Sequence, residues 1–92
     1  MGDQVEQATH EALRQLLERR GDATLIEANT KPITNLGLAS EDGVEFECIV
    51  ETLLDVTLPN QINPFVDDEH NRPRTVAEIV AYLTSLIRRG ER

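Results

Sequence analysis

The stretch NLGLASEDGVEF, Asn35 to Phe46, decides how the rest of the chain is read. A turn at Gly37 leads to a small residue, a serine, two acids and the start of an apolar helical spacing. Locally, Ser40 has the chemistry of a helix N-cap. Its hydroxyl can accept a bond from a free amide of the first turn, and Glu41 and Asp42 suit the positive end of the helix dipole. A hydroxyl at that position is also exposed, held in place, and close to amides that suit a phosphate ester. Cap and attachment point are therefore both open on local physics, and the surroundings must weigh them.

Winding forward from Ser40 at about 100° per residue collects Phe46, Ile49, Val50, Leu53 and Leu54 on one side, which predicts a helix over 40–54, before Pro59. The other side carries Glu41, Val44, Cys48, Glu51 and Asp55. Small apolar groups among acids make either an ordinary solvated face or a dock for a basic protein with a shallow apolar patch. Upstream, Asp3 and Glu6 form a capping box ahead of Val5, Ala8, Ala12, Leu13, Leu16 and Leu17, and Arg19-Arg20-Gly21 supplies a stop, so a helix is expected over 4–20. Downstream, Thr75 and Glu78 form a second capping box before Val76, Ile79, Val80, Leu83, Leu86 and Ile87, giving a last helix over 75–89.

Between these helices lie two long connections. Residues 22–39 read as a loop pinned to the core by Leu25, Ile26, Ile33, Leu36 and Leu38, and a loop of that length is usually functional. Residues 59–74 read as irregular, with Pro64 and Pro73, and have room for at most one short helical turn around Pro64 to Asp68. The expected fold is all-α: a single domain over 1–92, a small bundle of three main helices plus that short turn.

Composition fits such a bundle. The 92 residues contain 3% aromatics and no Trp, so the core must come from Leu, Ile and Val. Cys48 is the only cysteine, which excludes an internal disulfide and favours a reducing compartment. No apolar run has membrane length and no basic-then-apolar leader is evident, so a cytoplasmic protein away from membranes is expected.

The net charge of −8 is unevenly placed: Pro32 to Asn71 holds nine acids and no Lys or Arg, whereas the remainder nearly cancels. Such a tract repels phosphate backbones, so nucleic acid is not an expected partner, and it steers basic proteins toward the middle of the chain.

These residues together resemble the acyl carrier protein family. The run Leu36-Gly37-Leu38-Ala39-Ser40-Glu41-Asp42-Gly43-Val44-Glu45-Phe46 is similar to the family signature of Leu-Gly, Asp-Ser, an acid and a Val-Glu-Leu-like segment. Leu58-Pro59 and Thr75-Val76 also match. The resemblance implies an acyl-carrier-like bundle in which Ser40 carries covalent 4'-phosphopantetheine derived from coenzyme A, whose thiol holds an acyl group as a thioester. It implies a monomeric carrier and not an enzyme. Its partners would be a phosphopantetheinyl transferase and acyl-loading and acyl-processing enzymes with basic docking patches. Asp42, Glu45, Glu47 and Glu51, with Glu41 beside them, would meet those patches, Val44 and Cys48 would fill the apolar contact, and the acyl chain would tuck near Phe46, Val50 and Leu53.

Three departures go with the resemblance. Ala39 stands where the family has Asp, Glu41 replaces Leu or Met, and the 59–76 segment is longer than usual. They imply a specialised carrier with dedicated partners in a fatty-acid, lipid or polyketide-type pathway. The same residues also fit an aminoacyl or peptidyl carrier, or an unmodified acidic adaptor in which Ser40 is only a cap.

Other constellations are weaker. Asp67, Asp68, Glu69 and His70 are consecutive and cannot all face one ion, so they read as a solvated loop and no metal is expected. Cys48 reads as a small hydrophobe and not as a nucleophile. The two histidines, His10 and His70, have no context for a Ser-His-Asp triad.

Overall fold

A computed structural model describes residues 2–59 and 62–90. It is mostly helical, with α1 Gly2–Arg19, α2 Pro32–Asn35, α3 Asp42–Leu54, β1 Val66–Asp67, β2 Arg72–Pro73 and α4 Val76–Gly90. α1 packs against both α3 and α4, because its buried stripe of Val5, Ala12, Leu13, Leu16 and Leu17 serves both neighbours. Phe46 and Val50 from α3, Phe65 from the irregular segment, and Val76, Ile79 and Leu83 from α4 complete the same core. No helix among the described residues is long and apolar enough to cross a membrane.

Both strong stop and start signals have physical counterparts. At the end of α1 the Asp22 N–H donates to Leu17 O at 2.9 Å and the Gly21 N–H to Glu18 O at 3.0 Å. Gly21 takes φ +68°, which completes a Schellman cap. The second capping box closes reciprocally: the Thr75 N–H donates to Glu78 Oε1 at 2.8 Å and the Glu78 N–H to Thr75 Oγ1 at 3.2 Å. The Asp3 cap expected on α1 lies outside the described side chains.

The loop expected over 22–39 contains one turn of helix, α2, opened by buried Pro32 at its N-terminal position. Its carbonyls also do the work of a cap for α4, because Thr30 O and Ala28 O accept the Val76 and Ala77 N–H groups at 2.8 and 2.9 Å. Ile26, Leu36 and Leu38 are buried as expected, whereas Leu25 is 71% exposed and pins nothing.

The helical turn expected around Pro64 to Asp68 is not there. The segment forms a small antiparallel hairpin, with Val66 paired to Pro73 and Asp67 to Arg72. Asp67 Oδ1 accepts the Glu69 and His70 N–H groups at 3.1 and 3.3 Å, and Asn71 sits at φ 52°, so side-chain turn chemistry outcompetes helix winding. Strands of two residues are too short to show an alternating period in the sequence.

Candidate functional site

The regular winding of α3 begins at Asp42, two residues beyond the expected Ser40 start. The preceding turn is tighter. The Asp42, Gly43 and Val44 N–H groups donate to Ala39 O, Ser40 O and Glu41 O at 3.0, 3.0 and 3.2 Å, each three residues back. Asp42 Oδ2 then accepts the Ala39 N–H at 2.8 Å. This is one half of a capping box, with Ala39 in the cap position and no side-chain oxygen to supply the other half.

That arrangement corrects the cap reading of Ser40. The residue is exposed and its hydroxyl has no hydrogen-bond partner among the described residues, because the cap position belongs to the residue before it. Ser40 is a free hydroxyl on a turn held from both sides.

The solvent face of α3 is less uniform than its sequence. Val44 is 64% exposed, and Glu41 and Cys48 are exposed beside it. Glu45 is not an uncompensated acid, because it forms an ion pair with Arg19 of α1. A tract without basic residues in the sequence is partly neutralised by a helix from outside it. Glu51 is half-buried and its Oε2 accepts the Leu58 N–H at 2.7 Å, so it closes the chain after α3 and does not point freely outward. Glu47 lies one turn on from buried Gly43 and on the flank of the core face. There, burial and then the charge of Glu51 push its carboxyl up to about 7. Of the expected docking residues, Glu41, Val44 and Cys48 therefore form the open patch, while Asp42, Glu45 and Glu51 already have partners within the fold.

The three residues expected around an acyl chain do not meet at one cavity. Phe46 and Val50 are fully buried, and Phe46 packs on Phe65 with ring centroids 5.1 Å apart, so both are committed to the core. Leu53 is 45% exposed on the other edge of the helix, where it borders a hollow of about 370 Å³ with Gln4, Gln7, Ala8, Glu11 and Leu54. The core face of α3 runs through Gly43, Phe46 and Val50, with Ile49 and Leu54 only half-buried, which leaves Leu53 outside it.

No group of three metal-ligating side chains occurs among the described residues. In the hairpin turn, Asp67 is engaged locally: His70 Nδ1 lies 2.8 Å from Asp67 Oδ2, and the His70 side-chain bond, before other causes, holds this carboxyl below its usual range.

One residue that sequence reasoning passed over organises the surroundings of the Ser40 turn. Arg74 Nη1 donates to Asn63 O at 2.6 Å and Val66 O at 2.9 Å, with Pro64 O at 3.3 Å. Its guanidinium lies 3.9 Å from the centre of the Tyr82 ring of α4. In the sequence it is one basic residue among several, and nothing in its spacing signals this role.

The chain matches no family model, no curated protein and no solved structure.

Proposed function

We propose that the protein is an acyl carrier, with 4'-phosphopantetheine attached through Ser40 Oγ. The observation that carries this reading is the Ser40 turn: an exposed hydroxyl without a partner among the described residues, on a backbone fixed by the Asp42 carboxylate. The Ser40 and Glu41 N–H groups also have no backbone partner among the described residues and lie at the positive end of α3, where a phosphate ester is favoured. The Asp42 carboxylate turns back onto the Ala39 amide, which keeps it occupied within the turn.

The attached group would supply a thiol able to hold an acyl chain as a thioester. The chain's own residues do the rest. Ser40 Oγ forms the new bond to phosphorus, its proton leaves to a base on the transferase, and the diphosphate linkage of coenzyme A breaks with release of adenosine 3',5'-bisphosphate. Val44, Cys48 and Glu41 then offer the open patch for basic partner enzymes in a cytoplasmic pathway. Ala39, in place of the acid that carriers usually have there, goes with a dedicated transferase.

Intact-mass measurement tests this reading after incubation with coenzyme A and a broad-specificity phosphopantetheinyl transferase. One added phosphopantetheinyl group is expected on the unmutated protein and none on Ser40→Ala. Loading that persists in Ser40→Ala, or no loading with any transferase tried, would overturn it.

A further inference from the structure

The irregular segment between α3 and α4 is tied to the turn that bears Ser40. Arg74 gathers the carbonyls of Asn63 and Pro64, which lie outside the hairpin, and of Val66 in β1 onto one guanidinium nitrogen while stacking on Tyr82 of α4. The Arg74 backbone adds a bond from its N–H to Phe65 O at 2.9 Å. Phe65, held in this way, is fully buried against Phe46.

The consequence falls on Gly43. A Cβ at that residue would lie 3.2 Å from Pro64 Cδ and 3.3 Å from Pro64 Cγ, so the proline ring is seated closely on the first turn of α3 and would have to give by a few tenths of an ångström to admit a side chain there. The Gly43 N–H is the group that donates to Ser40 O. The chain of contacts therefore runs from Tyr82 through Arg74 to Pro64, from Pro64 to Gly43, and from Gly43 to Ser40. The segment is held although Asn63 Oδ1 is buried with no partner among the described residues, a cost that the Arg74 contacts must offset.

We propose that Arg74 is a positioning residue for Ser40: by seating Pro64 on Gly43 it holds the first turn of α3 in the one conformation in which Ser40 is presented for modification. This rests on the carrier reading for what the presentation is for, and on the contacts alone for the ordering of the turn. Arg74 touches neither Ser40 nor any substrate. Losing it lowers the fraction of molecules with a competent turn, which raises the apparent KM of a transferase in proportion and leaves kcat nearly unchanged.

The test uses the full chain with Arg74→Gln, Arg74→Lys and Gly43→Ala. Amide hydrogen exchange, read by nuclear magnetic resonance, compares Gly43 and Val44 with Leu83 in the core of α4. Arg74→Gln is expected to speed exchange at Gly43 and Val44 by about tenfold more than at Leu83, as local opening does. Gly43→Ala should act in the same direction with Arg74 intact, because its methyl group presses on the Pro64 ring at 3.2–3.3 Å. Arg74→Lys should only partly rescue, since one ammonium lacks the planar face that stacks on Tyr82. With coenzyme A and a transferase, Arg74→Gln and Gly43→Ala should raise KM for the protein several-fold at unchanged kcat. Exchange at Gly43 and Val44 that rises no more than at Leu83, or an unchanged KM in both variants, would overturn the proposal. If the unmutated protein is never loaded, the carrier reading fails by itself, and the exchange data still decide whether Arg74 orders the turn.

Discussion

Ala39→Ser should stabilise the protein, and Ser40→Ala should scarcely affect it. The turn at the head of α3 has half a capping box: the Asp42 carboxylate accepts the Ala39 N–H at 2.8 Å, but residue 39 has no side-chain oxygen to accept an amide of the first turn in return. Asp42 N–H already donates to Ala39 O, whereas Glu41 N–H has no backbone partner among the described residues, so it is the amide that a new hydroxyl would take. Supplying a missing N-cap is worth about 1 kcal/mol. For a domain of this size, that is roughly 4–8 °C in Tm. Serine is the better probe than aspartate, because Glu41, Asp42 and Glu45 already crowd the turn with negative charge. Ser40→Ala removes a hydroxyl without a partner and should cost no more than a few tenths of a kcal/mol, within the ordinary range of surface changes. Asp42→Ala should lose about 1 kcal/mol and should also abolish part of the Ala39→Ser gain, since the two halves of a capping box couple. Thermal unfolding followed by circular dichroism on the unmutated protein, the three single variants and the Ala39→Ser/Asp42→Ala double variant measures this. A Ser40→Ala loss near 1 kcal/mol, together with no gain from Ala39→Ser, would refute the placement of the cap at residue 39.

Glu47 should make the protein less stable as pH rises: its carboxyl titrates near 7 in the fold against 4.5 for the unperturbed group, so the folded state holds the extra proton between those values. Glu47→Gln should remove that slope and stabilise the protein at pH 8 by on the order of 1 kcal/mol, after discounting for a half-exposed side chain, while leaving pH 4 nearly unchanged; urea unfolding at both pH values checks it, and a gain equal at the two would count against it. Glu78 runs the other way, since the Arg72 bond first, then the Thr75 amide, lowers its carboxyl to about 2 from 4.5. Its stabilisation is complete above about 4.5 and is lost as pH falls through 2, so Glu78→Gln should flatten the acid limb of a stability profile; an unchanged limb would exclude Glu78 as its source. Asp55 closes α3 in the left-handed region at φ 55°, and Asp55→Gly should raise stability by about 1 kcal/mol in denaturant unfolding by relieving that backbone.

Local chemistry was enough for the sequence to determine the three long helices and several of their ends. An apolar stripe at helical spacing must bury itself, Gly21 can take a left-handed cap, and Thr75 with Glu78 can close a box using only neighbours in the chain. The same local logic marked Ser40 as the residue to watch. It did not place the cap at Ala39, because that depends on whether the first turn winds tightly, which the spacing of residues does not encode. Tertiary structure alone decided the rest. Arg19 arrives from α1 to neutralise Glu45, and Leu58 folds back to occupy Glu51, so the acid field of the middle tract is smaller than its count of carboxylates. Arg74 reaches the carbonyls of residues up to eleven positions away and turns an apparently loose connection into a seat for Pro64 on Gly43. Such contacts join residues with no fixed separation in the chain, so no periodicity announces them, and only the packed core fixes the distance at which they form.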